Sequence, residues 1–241
     1  MRASGATPAK SKNVDTVIVG GPHSGVGKTL AAELAIRTLA ERTPVGAIKL
    51  TVADGERDSA HDHGSSALLL ADATGVCGRG ASCGVCETVS AKIPSRMVTA
   101  DGAIRKSGTD TCRLYDAGAV AVAWVIALRE AAPKAVDDAI RYLHERGARA
   151  VVVEGTTALE WIDPMASVMV ATDPGKPWKE VARRFATGCD IVVRNFPPAP
   201  VGDLPAPPEL WQADLLECDL GDERDPGRLR YVERLRDLCR P

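Results

Sequence analysis

The stretch DTVIVGGPHSGVGKTL, residues 15–30, begins as a β-branched apolar run, turns through glycines and ends on Gly-Lys-Thr where an amphipathic pattern starts. A strand, a Gly-rich turn and a helix in that order form the setting in which backbone can wrap a phosphate. The nucleotide-binding candidates are therefore Gly21, Ser24, Gly25, Val26, Gly27, Lys28 and Thr29. N–H groups around Ser24 to Lys28 can surround a β-phosphate, Lys28 can reach the β and γ oxygens, and the Thr29 hydroxyl can ligate Mg2+. Counting back from Gly27, the usual first glycine position holds Pro22, with Gly21 just before it. The turn thus carries one extra residue.

Outward from this turn, short β-branched runs alternate with helical patterns, which predicts βαβ units and a parallel sheet. The runs are DTVIVG (15–20), VGAIKL (45–50), AVAVAWVIA (119–127), ARAVVVEG (148–155), ASVMVAT (166–172) and CDIVVRN (189–195). About six strands with covering helices are expected up to Asn195, giving a three-layer α/β fold of the P-loop NTPase class. PKAVDDAIRYLHERG predicts a helix with Pro133 near its start and Gly147 past its end. NFPPAPVGDLPAPPE (195–209) is Pro-rich, cannot sit inside a sheet, and is expected to end the nucleotide-binding core. DPGRLRYVERLRDLC then predicts a short helix that docks on the core through Leu229, Val232, Leu235 and Leu238. The expected organisation is a disordered tail over 1–14, a domain over 15–195 with an insertion at about 54–98, and a connector plus helix over 196–241.

Composition bounds the functions. At 241 residues the chain is long enough for one full core, and 45% hydrophobic with 26% charged residues is ordinary for a soluble protein. A net charge of −2 supplies no electrostatic footprint for nucleic acid or an anionic membrane. No apolar run approaches the ~20 residues of a membrane span, so a cytoplasmic protein is expected. Its 7 cysteines then point to metal binding or packing rather than disulfides.

Three of them, Cys77, Cys83 and Cys86, lie in CGRGASCGVCE with spacing C-x5-C-x2-C. The last two can grip one metal from a tight turn while the first closes from the preceding loop. Three free or buried thiols are the plainer alternative. The fourth ligand is open between Cys112 and the pair His61 and His63. A histidine would make the site zinc, whereas three or four cysteines suit zinc or a [4Fe–4S] cluster. Cys189, Cys218 and Cys239 are scattered and read as packing residues.

The extra residue in the phosphate turn resembles the loops of the dethiobiotin synthetase and cobyrinic acid amidase group and the deviant loops of MinD-like ATPases. The signature lysine of the latter is replaced here by His23, which argues against hydrolysis driven by that lysine across a dimer. RTPVGAIKLTVADG, KSGTDTCRLYDAGAVAV and ARAVVVEG together resemble the MobB family, the nucleotide-binding proteins of molybdopterin guanine dinucleotide biosynthesis. The likeness rests on Lys49; on Gly108, Asp110, Thr111, Arg113, Ala117, Gly118 and Ala119; and on Glu154 and Gly155, and it spans roughly 15–195. It implies Mg2+ with ATP or GTP, a metalloenzyme or cofactor-synthesis partner, and a homodimer. The Cys-rich insertion is where this chain departs from the family.

Beside the resemblance, the catalytic candidates are Lys28, Asp110, Arg113 and Glu154. Glu154 ends an apolar strand near the turn, where a carboxylate can orient Mg2+ or its water, or can simply be an exposed strand-end acid. Asp110 and Arg113, three apart, share a helical face: Asp110 can hold Mg2+ and Arg113 can neutralise developing charge, or the two can form a structural ion pair. Lys49 at a strand end faces the expected ligand crevice, with a solvated lysine as the alternative. Asn195 resembles the base-contacting asparagine of the wider group, and also suits a turn before Phe196. The leading expectation is an NTPase of cofactor biosynthesis or maturation whose Cys-ligated centre responds to nucleotide. A small-molecule kinase or ATP-dependent ligase, and a non-catalytic adaptor with structural zinc, are the alternatives.

Overall fold

The computed structural model describes residues 15–53, 88–172, 178–196 and 215–240. The strands are β1 (Asp15–Gly20), β2 (Val45–Ala53), β3 (Ser95–Val98), β4 (Ala121–Leu128), β5 (Ala150–Glu154), β6 (Ala166–Ala171), β7 (Ile191–Asn195) and β8 (Leu215–Cys218). The helices are α1 (Lys28–Ala40), α2 (Asp101–Ile104), α3 (Asp110–Asp116), α4 (Ala132–Glu145), α5 (Glu180–Ala186) and α6 (Pro226–Leu238), with a 3-10 turn at Thr156–Glu160. One sheet takes the order β3-β4-β2-β5-β1-β6-β7-β8. Every pairing is parallel except β3 with β4.

Alternation along the buried strands creates the three layers, because successive side chains leave opposite faces of a sheet. Val17, Val19, Val45, Ala47, Ala150 and Val152 meet α1 and its neighbours α3 and α6 on one face. Ile18, Ile48, Val151 and Val153 meet α4 on the other, through Ala135, Val136, Ala139, Ile140 and Leu143. Further along that second face, Met169 and Val192 receive α5 through Ala182 and Ala186. Each fully buried Val or Ile contributes about 1.5–3 kcal/mol, so these columns hold the layers together. The architecture is thus a three-layer α/β fold with a mostly parallel sheet, as expected. No helix among the described residues is long and apolar enough to cross a membrane.

The structure departs from expectation in three places. The sheet does not stop at Asn195, because β8 pairs with β7, Asn195 standing opposite Cys218. The far end of the expected insertion, residues 95–98, is the antiparallel edge strand β3. In α6 the packed face is centred on Tyr231 and Leu235, with Val232 and Leu238 beside them, whereas Leu229 is 57% exposed. The aromatic ring of Tyr231 moves the apolar face of α6 away from Leu229, and its hydroxyl donates to the Ala31 carbonyl of α1 at 3.0 Å.

Candidate functional site

β1 lies in the middle of the sheet, and the chain leaves it through the turn Gly21–Gly27 into α1. Gly27 is the residue before α1, with φ of 100°, a left-handed conformation that glycine adopts without penalty. A Cβ there would lie 2.5 Å from Asn195 Nδ2, and one on Gly21 would lie 2.7 Å from the Val170 carbonyl. Only glycine therefore lets the turn pack this tightly. No side chain caps α1 and no acid occupies its first turn, so the helix end keeps its positive field.

Strand register explains what gathers beside this helix end. Glu154 of β5 stands level with Val19 of β1 and Lys49 of β2. The apolar columns Val45-Ala47 and Ala150-Val152 therefore end, on the α1 face, in Lys49 and Glu154. Thr109 begins α3 by accepting the Cys112 N–H on its side chain, which sets Asp110 in the first turn. From there Asp110 Oδ2 lies 2.5 Å from Lys49 Nζ, and Glu154 Oε1 lies 2.6 Å from the same ammonium. The Thr29 hydroxyl is 3.1 Å from Asp110 Oδ1 and 3.2 Å from Glu154 Oε1. Glu154 is only 1% exposed, and its Oε2 has no hydrogen-bond partner among the described residues.

Electrostatics follow from this crowding. Burial is the main cause that lowers Lys28 to about 8; Glu154 opposes it, while Lys49 and Lys179 reinforce it. Lys28 Nζ donates to the His23 carbonyl at 2.6 Å, across the turn. Burial is also the largest influence on Asp110 and pushes its carboxyl up. Lys49, Thr29 and Arg113 together outweigh it and hold the group below the usual aspartate value.

Of the residues expected to act, Lys28, Thr29, Lys49, Asp110 and Glu154 come together. Arg113 turns instead to Glu33 of α1, with Nε 2.5 Å from Oε1, and so braces α3 against α1. Asn195 is occupied by the fold: its Nδ2 donates to the Val26 carbonyl at 3.2 Å and its Oδ1 accepts from Leu220 N–H at 3.0 Å. It ties the Gly-rich turn to the chain after β8. Cys112 is half-buried, and its thiol donates to Asp116 Oδ2 at 3.5 Å. Cys77, Cys83, Cys86, His61 and His63 lie outside the described residues. Among the described residues no group of three or more His, Cys, Asp or Glu side chains is placed to hold a metal.

Sequence reasoning missed Thr156. Its hydroxyl accepts from Gly21 N–H and donates to the Gly21 carbonyl, both at 2.8 Å, and so anchors the start of the turn. Its place just beyond the carboxyl end of a central strand was the available signal, since ligands of open α/β sheets gather there. Lys179, felt by Lys28, carried no comparable signal because its approach depends on how α5 packs. Comparison of the chain with protein-family models, curated proteins and solved structures finds no match.

Proposed function

We propose that this chain is a P-loop NTPase that binds a Mg–nucleotide and serves the biosynthesis or maturation of a molybdopterin or metal cofactor. The observation that supports the nucleotide reading is the meeting of Lys28, Thr29, Asp110 and Glu154 at an uncapped helix end that follows a central strand. That helix end and Lys28 suit a polyphosphate. Mg2+ takes oxygen donors, and the hydroxyl of Thr29 with the carboxylates of Asp110 and Glu154 supplies them; the unpartnered Glu154 Oε2 is a buried oxygen that such a cation would satisfy. When bound with nucleotide, the ion would neutralise charge on the β and γ oxygens. Lys28 would pair with the phosphates, and Thr156 would keep Gly21, hence the turn, in its binding shape.

The cofactor part of the proposal rests on the sequence resemblance and on the Cys77, Cys83, Cys86 cluster, with zinc or a [4Fe–4S] cluster as its occupant. The deciding experiment titrates the full chain with fluorescent ATP and GTP analogues, with Mg2+ and with EDTA, and follows phosphate release. Lys28→Ala should weaken binding by about 100-fold, the loss expected for one charge-assisted phosphate contact in a desolvated site. Equal affinity in wild type and variant, or no nucleotide bound by either, refutes the reading. Anaerobic purification with iron, sulfide and zinc analysis tests the metal centre, and a chain free of all three removes it.

A further inference from the structure

Lys49 sits among the oxygens that a divalent cation would need. Its ammonium contacts Asp110 Oδ2 at 2.5 Å and Glu154 Oε1 at 2.6 Å, the same two carboxylates that Thr29 approaches. A bare cation cannot share these oxygens with an ammonium at such distances, because the two positive charges would stand nearly in contact. Yet Lys49 and Thr29 leave one oxygen of the pair unsatisfied: Glu154 is 1% exposed and its second oxygen has no partner among the described residues. The unpartnered buried oxygen is an independent sign that the cluster accepts something more than one lysine.

We propose that Lys49 is an internal counter-ion that excludes free divalent cations from this site, and that metal enters only with a polyanion able to take Lys49 as its own partner. The proposal rests on the Mg–nucleotide reading of the site and adds an order of events to it. The lysine side chain is 18% exposed and that of Asp110 45%, so the cluster opens to solvent beside Asp110, the side toward which the ammonium would turn. Phosphate oxygens then replace the carboxylates as its partners, while the cation replaces the ammonium on Asp110 and Glu154. Neither exchange leaves a buried charge alone, which either one performed singly would do. The protein consequently resists metal in its resting form.

The test uses Mn2+ alone, with the nucleotide-free full chain, and reads free Mn2+ by electron paramagnetic resonance and thermal stability by circular dichroism. Lys49→Met should bind one Mn2+ at least ~10-fold more tightly than wild type, because the competing ammonium is gone. Its melting temperature should rise with Mn2+ while that of wild type stays level. Adding Asp110→Asn to Lys49→Met should abolish the gain and so locate the ion. If Lys49→Met does not fold, Lys49→Gln, which keeps a donor for Glu154, carries the same titration and the same expectation. Equal Mn2+ affinity in wild type and the folded variants, or no binding by any of them, overturns the proposal. These results separate from the nucleotide titration: a chain that binds nucleotide but shows equal Mn2+ affinities keeps its function and loses the counter-ion. One that gains the Mn2+ site but binds no nucleotide keeps the competition for the carboxylates and loses the nucleotide reading.

Discussion

At Lys28 the surroundings change the chemistry, since burial brings the ammonium down to about 8. Below that pH the ammonium is fully charged and available to phosphate; as pH rises above it, binding must first restore the proton. Affinity for a nucleoside triphosphate in EDTA should therefore be flat below about 8 and fall by up to ~10-fold per pH unit above it. Isothermal titration at several pH values checks this, and an affinity unchanged across that range refutes it. Gly27 gives a second prediction at this scale. Alanine there would need φ of 100° and would place its Cβ 2.5 Å from Asn195 Nδ2. Gly27→Ala should cost about 1–3 kcal/mol in urea unfolding, the strain of a left-handed non-glycine residue plus the displaced amide. A loss below a few tenths of a kcal/mol would show that the turn can relax.

Helix α6 shows what an element reveals and hides in sequence. Its existence, its docking and most of its packed face were legible from the spacing of apolar residues; only the place of Leu229 was not, because a leucine repeat outweighed one tyrosine. Tyr231 is fully buried and bonded to Ala31, while Leu229 is exposed. Leu235→Ala should thus cost about 2–5 kcal/mol and Leu229→Ala less than ~0.5 kcal/mol, as chemical denaturation can measure. Equal losses would restore the leucine face. The six long strands were legible for the opposite reason: runs such as AVVVE are buried on both faces and leave no other reading. Strands β3 and β8, four residues each, carry no such signal, and pairing with an existing edge rather than propensity makes them. Among site residues, Lys49 and Glu154 could be picked out as charged ends of apolar strands. Their contact could not, since it needs the register that places β5 between β1 and β2.

At the scale of the whole molecule, the end of the chain supports its beginning. Asn195 and Leu220 hold the Gly-rich turn, Tyr231 holds α1, and Arg236 pairs with Glu41 at 2.7 Å. Deleting residues 215–241 would bare one edge of β7 and the outer side of α1. Such a truncated chain should lose the cooperative thermal transition of the full one, as differential scanning calorimetry can show; an unchanged transition would make β8 and α6 an ornament of the fold. Strand order has its own consequence. β1 and β2 follow each other in the chain but are separated in the sheet by β5, and the Lys49–Glu154 contact closes a separation of 105 residues. During synthesis on the ribosome, therefore, the first two strands emerge with the gap between them unfilled, and their apolar faces wait for more than half the protein to be translated. Topology of this kind folds late and exposes sticky intermediates on the way. A newborn chain stalled before Glu154 would be a substrate for chaperones rather than a smaller version of the protein, and the cluster of Lys49, Asp110 and Glu154 would be among the last features to exist.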